Sequence, residues 1–145
     1  MQEIFIKEIN TTSPEYPQLL EFRHQLLRAP LGLNLFEEDL GDDQQDFILL
    51  VMQDKEVIGC VMLHPLEDGR IKLRQMAIAE RFQGKGIGKI LVEDAEQTAF
   101  EHDCTEIILH ARRTAEGFYN KLGYKASGEE FTEVGIPHIA MRKQL

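Results

Sequence analysis

Residues 71–79 read IKLRQMAIA, and their apolar positions change step, falling at 71 and 73 and then at 76 and 78. A strand buried on one face cannot shift phase freely, because every side chain beyond the slip would turn to the wrong side. One extra residue at Arg74–Gln75, a β-bulge, restores the register. A bulge also splays the strand from its neighbour and frees main-chain N–H and C=O groups. The alternative is a strand partly buried on both faces.

The residues that follow, 81–92, are RFQGKGIGKILV, a glycine-rich turn opening onto an aliphatic run. Glycine lets the main chain approach a partner closely, and a helix start offers outward-pointing N–H groups. Phosphate is the natural guest for that combination. A P-loop does not fit, because Gly88-Lys89 is followed by Ile90 and residue 83 is Gln rather than Gly. The dinucleotide fingerprint does not fit either. Gly84, Gly86 and Gly88 are spaced G-x-G-x-G, the preceding strand is not uniformly apolar, and the next strand ends in His110 rather than an acid.

The remaining elements set the fold class. Met1–Ile9 alternates as a strand, and Ser13 before Pro14 reads as the cap of a helix. Tyr16, Leu19, Leu20, Arg23, Leu26 and Leu27 form its stripe, and Pro30 and Gly32 end it. Phe47–Met52 and Val57–Leu63 make a hairpin across QDKE, and Pro65 to Gly69 turns into Arg70–Ala79. A helix to about His102, a strand Thr105–His110, a helix Thr114–Leu122 closed by Gly123, and a strand Ile136–Met141 complete the chain. Successive hairpins imply antiparallel pairing, and the later strand–helix–strand alternation implies a parallel portion. The expectation is an α+β (mixed α/β) fold, a mixed, mostly antiparallel central sheet with helices on both faces, in a single domain over residues 1–145.

A chain of 145 residues buries a core without disulfides or metals. Cys60 and Cys104 lie in apolar elements and are expected to be buried free thiols in a reducing cytoplasm. No Cys/His cluster has zinc spacing, so no metal is expected. The N-terminus MQEIFIKEIN lacks the basic start and apolar core of a signal peptide, and no apolar run is long enough to span a bilayer. A cytoplasmic protein without membrane partners is expected. The net charge of −9 repels nucleic acid. Glu37, Glu38, Asp39, Asp42, Asp43 and Asp46 read as a solvated acidic loop, or as a rim drawing in a cationic substrate.

Gln83-Gly84-Lys85-Gly86-Ile87-Gly88 resembles the Q/R-x-x-G-x-G/A signature of the GCN5-related N-acetyltransferase (GNAT) family. In that family the signature follows a bulged strand and opens a helix. Ala115-Glu116-Gly117-Phe118-Tyr119-Asn120-Lys121-Leu122-Gly123-Tyr124 is similar to the family's A-x-x-F-Y-x-x-x-G-F/Y segment. The ending Gly135-Ile136-Pro137-His138-Ile139-Ala140-Met141 resembles the G-I-P-H-x-x-M of a bacterial branch, and Leu27-Arg28-Ala29-Pro30-Leu31-Gly32 matches that branch's first helix end.

The resemblance implies acetyl-CoA as cosubstrate and direct acetyl transfer to a primary amine, either a small molecule or a peptide amine. The pyrophosphate is then expected on Gln83, Gly84, Lys85, Gly86, Ile87, Gly88 and Lys89, with helix dipole and lysine charge adding together. The pantetheine arm is expected along Met76, Ala77 and Ile78, with an amide near Ala77 polarising the thioester. Arg112 replaces an Asn that often contacts that arm, and could meet a phosphate or amide instead. Tyr119 is the expected general acid, since a phenol can share a proton with a thiolate; a packed aromatic is the alternative. If the amine's pKa is near 10.4, only roughly one molecule in 2,500 is neutral at pH 7, so a base is needed. His138 is the expected base and His110 the second candidate; a structural strand histidine is the alternative for His138. His24, His64 and His102 read as surface or helix-end residues. Arg23, among leucines, either grips a substrate carboxylate or makes an internal ion pair. Many relatives pair through edge strands or C-terminal segments, so a homodimer is compatible. A non-catalytic acyl-CoA sensor is the rival reading; it would keep residues 83–88 but need neither Tyr119 nor a cleft histidine. A nucleotide-binding protein is the third reading, and it would bind ATP or NAD in competition with CoA.

Overall fold

The computed structural model describes residues 3–145; Met1 and Gln2, the start of the expected first strand, lie outside the described residues. One sheet is built from β1 (Ile4–Ile9), β2 (Phe47–Gln53), β3 (Glu56–Pro65), β4 (Arg70–Ile78), β5 (Glu106–Arg112), β6 (Lys125–Ala126), β7 (Phe131–Glu133) and β8 (Ile136–Gln144). The α-helices are α1 (Tyr16–Arg23), α2 (Ile87–Glu101) and α3 (Glu116–Lys121). Strand order is β1-β2-β3-β4-β5-β8-β6, with β7 beside β8. Every pairing is antiparallel except β4 with β5, which is parallel. A parallel pair needs a crossover, and α2 provides it.

Strand alternation divides the core between the two faces of the sheet. Ile48, Leu50 and Met52 of β2 join Cys60 and Met62 of β3 beneath α1, with Leu19. Leu49 and Val51 point the other way and meet Leu91, Val92, Ala95 and Ala99 of α2. Burying a Leu or Val side chain contributes about 1.5–3 kcal/mol each, so this stripe holds α2 on the sheet. On β4, Ile71 and Leu73 face α2, and beyond the slip Met76 and Ile78 pack against the same cluster while Ala77 joins the other. That is the phase change expected from IKLRQMAIA. It occurs where β3 skips Val61 between its pairings with Ala77 and Arg74, and where Gln75 takes a φ of 54°.

The first helix starts later than expected. Ser13 lies in the preceding turn, where its hydroxyl accepts from the Asn10 amide, and Pro17 rather than Pro14 occupies the first helical turn. The wider turn His24–Arg28 continues the helix with π geometry before Gly32 closes it at φ 72°. The expected solvated acidic loop is also only partly right: Asp43 and Asp46 are buried. Both cysteines are free and buried. Among the described residues no helix is long and apolar enough to cross a membrane.

Candidate active site

The site forms where β4 and β5 part. Their parallel pairing runs from Arg70–Glu106 to Leu73–Leu109 and then stops at the bulge. Beyond the bulge, the Ala79 amide donates to the Ile58 carbonyl at 2.8 Å, and Ala77 pairs with Cys60. The Cys60 thiol donates to the Gln75 carbonyl at 3.1 Å, tying β3 to the bulge. Because peptide groups alternate along a strand, the edge facing the opening belongs to Met76 and Ile78. By the same alternation Ala77, which pairs with Cys60, turns toward β3, so the amide expected near Ala77 falls to its neighbours Met76 and Ile78.

The glycine turn lies across the opening. Gly84 and Gly86 take φ values of 76° and 82°, and a methyl group built on either would meet nothing within 4 Å. Backbone conformation, rather than crowding by the protein, requires glycine there. Gly88 differs. It has an ordinary φ, but its Cβ would come within 3.3 Å of Phe118 and 3.5 Å of Met76, so it lets α2 pack close to α3 and β4. The amides of Gly84, Lys85 and Gly86 make no hydrogen bond among the described residues. Those of Ile87, Gly88 and Lys89 are the first-turn donors that helix geometry leaves open. Inward pairing begins with Ile90, which donates to the Gly86 carbonyl. Gln83 departs from the expectation. Its amide donates to Glu80, and its side chain donates to the Ile78 carbonyl at 3.0 Å, tying the turn to β4 instead of facing outward. Lys85 stands over the Phe82 ring.

A cleft of about 340 Å³ continues from this opening, walled by Leu27 and Arg28 on one side and Glu133, Val134 and His138 on the other. Tyr119 enters it from α3, and its hydroxyl reaches the Met76 sulfur at 3.5 Å. Burial pushes the phenol up to about 12. His138 is buried, and its Nδ1–H donates to the Ile136 carbonyl at 2.8 Å. His110 and Arg112 line the same cleft from β5. Glu133, which no motif in the sequence marks, accepts from His110 Nδ1 at 2.9 Å and stands 3.7 Å from His138 Nε2. Lys72 and Arg112 bring positive charge to this cleft in a protein whose formal charge is −9, while Arg28 and Arg74 line it paired with carboxylates.

Arg23 does not reach the cleft. It is 1% exposed and donates to Asp43 at 2.7 Å, which is the internal ion pair and not the carboxylate grip. Asp43 also accepts from Tyr16 and, at 2.7 Å, from Arg74, whose Nε donates to Asp46 at 2.7 Å. His64 joins through Asp46, so it is not simply a surface residue. This network anchors the segment beneath the residue that precedes the bulge, and it takes Asp43 and Asp46, though not the exposed Glu37, Glu38, Asp39 and Asp42, out of a rim attracting cations.

The family model for the acetyltransferase (GNAT) domain matches residues 13–145. The chain belongs to the GNAT acetyltransferase family, a family of acyltransferases. An uncharacterized N-acetyltransferase of Bacillus subtilis, YitI, is 30% identical, with 95% of this chain and 96% of that protein covered. The crystal structure of a putative N-acetyltransferase from Lactobacillus plantarum has the same fold, with a TM-score of 0.87, 24% identity and 98% of each chain covered. A GNAT family acetyltransferase from Elizabethkingia anophelis, solved with acetyl-CoA bound, superposes with a TM-score of 0.71 at 20% identity over 98% of each chain.

Proposed function

We propose that the protein is an acetyl-CoA-dependent N-acetyltransferase that moves an acetyl group directly to a primary amine. The observation that carries this reading is the row of outward amides from Gly84 to Lys89 at the start of α2, beside a strand edge left unpaired by the bulge. The amides, the helix dipole and Lys85 and Lys89 suit a diphosphate. The open space over Gly84 and Gly86 leaves room for it. The edge of Met76 and the amide of Ile78, whose carbonyl is held by Gln83, suit the peptide-like pantetheine arm, and Arg112, which lines the cleft, suits a phosphate or an amide. When bound, acetyl-CoA supplies an activated acetyl thioester.

The chain's own residues then have distinct tasks. A strand-edge amide at Met76 or Ile78 polarises the acyl oxygen. Tyr119 faces the departing sulfur. With its phenol at about 12 and a thiol near 8.5, outright proton donation costs on the order of 5 kcal/mol. Tyr119 therefore acts first as a hydrogen-bond donor, and yields its proton only as another replaces it. His138 takes a proton from the amine on Nε2, because the Ile136 carbonyl holds the other ring nitrogen protonated.

A sensor would have no use for Tyr119 and two histidines in one cleft, and their presence there supports the enzyme. Calorimetric titration with CoA, followed by thiol release over a panel of amines, tests the reading. Binding with turnover on at least one amine is expected, and binding without any turnover contradicts it.

A further inference from the structure

We propose that Glu133, held by His110, forms with His138 a relay that carries the acceptor's surplus proton out of the cleft; this rests on the acetyl-transfer reading above. Acetyl transfer exchanges an N–H bond for N–C and an S–C bond for S–H. An amine that arrives as ammonium sheds two protons. The sulfur takes up one, and the other must leave.

The sheet places three side chains for that task. On β7, Phe131 and Glu133 share a face, as period-two alternation requires. Phe131 lies opposite His138 on β8, which lies opposite Arg112 on β5, two residues beyond His110. The Phe131 ring stacks on His138 with centroids 6.0 Å apart and meets the edge of His110 at 4.9 Å, fixing both imidazoles. A carbonyl can only accept, so His138 Nδ1 carries hydrogen and Nε2 is the free base of the neutral ring. That nitrogen faces Glu133 Oε2, while Glu133 Oε1 is held by His110 Nδ1–H.

Burial decides the direction of travel. The His138 side chain is 5% exposed, whereas Glu133 is 44% and His110 32% exposed. A proton on His138 has little contact with water, and the carboxylate and second imidazole lead outward. Charge points the same way. Lys72 on β4 and Arg112 on β5 share the cleft and disfavour a further cation there, whereas Arg74 and Arg28 are already paired with Asp43, Asp46 and Glu38. Glu133 is the lining carboxylate that favours an imidazolium beside it.

The test is Glu133→Gln, with Glu133→Asp beside it, on an amine that the wild type acetylates. The relay predicts a fall in kcat of about 10²-fold in E133Q, with KM for acetyl-CoA within about twofold. It also predicts partial recovery in E133D and several-fold rescue of E133Q by added imidazole buffer. A second readout needs no turnover. On acidifying the free protein, ring-nitrogen NMR should show the new Nε2–H of His138 more strongly hydrogen-bonded in wild type than in E133Q, where a neutral amide oxygen replaces the carboxylate. Unchanged kcat in E133Q, a loss that buffer does not rescue, or identical ring spectra overturns the relay alone. Wild-type protein that acetylates no amine overturns the reaction reading, and the relay with it.

Discussion

The Tyr119 hydroxyl donates to the sulfur of Met76 across the mouth of the opening between β4 and β5. A thioether is a weak acceptor, so this hydroxyl is held in place without being strongly engaged. A departing thiolate would be a better partner. Tyr119→Phe is expected to lower kcat on the order of 10- to 100-fold while leaving CoA affinity within about twofold. Steady-state kinetics with parallel calorimetry checks both parts. A weakened CoA affinity at unchanged kcat would make Tyr119 a packing residue only.

The two kinds of glycine in the turn predict different mutants. Gly86→Ala places a side chain at φ 82°, which costs on the order of 1 kcal/mol, and points a methyl group into the space proposed for the diphosphate. CoA affinity should fall at least about tenfold with a small loss of melting temperature. Gly88→Ala has no such strain and meets the movable ends of Phe118 and Met76, so its effect on affinity should be smaller. Calorimetry and melting curves on both variants compare them directly.

The buried charges are asymmetric. Arg23 bonds to Asp43, and its Nε has no partner among the described residues, whereas Asp43 also serves Arg74 and Tyr16. Asp43→Ala strands a buried guanidinium and should cost about 3–5 kcal/mol. Arg23→Met leaves Asp43 paired and should cost less. Denaturant unfolding of both variants decides it, and equal losses would contradict this assignment.

Alkaline pH should destabilise the fold. Burial holds the Cys60 thiol and the Tyr119 phenol up to about 12, and Tyr16 and Tyr124 are raised by burial and by Asp43 and Glu96. The folded state keeps these protons while the unfolded chain loses them from about pH 9–10 upward. The stability they provide is therefore complete below pH 9 and lost as pH rises toward 12. Melting temperatures measured from pH 8 to 11.5 should be level and then decline.

The legible parts of this molecule were those written in neighbouring residues. The slip of IKLRQMAIA placed the bulge at Arg74–Gln75, and the glycine spacing marked the turn, because both are local backbone requirements. Residues whose roles depend on distant partners were harder to read. Nothing in the acidic segment 37–46 shows that Asp43 and Asp46 turn inward, since Arg23, Arg74 and His64 come from other elements. Glu133 sits in a three-residue strand too short to show a period, and its meaning comes from β5 and β8 beside it. Gln83 belongs to the motif, but its side chain is turned inward by a carbonyl that only the folded strand presents.

Amide-resolved NMR during titration with CoA tests the central claim most directly. Selective shifts of Gly84, Lys85, Gly86, Ile87, Gly88 and Lys89, together with Met76 and Ile78, are the predicted result. Saturating CoA that leaves those amides unmoved would contradict the account.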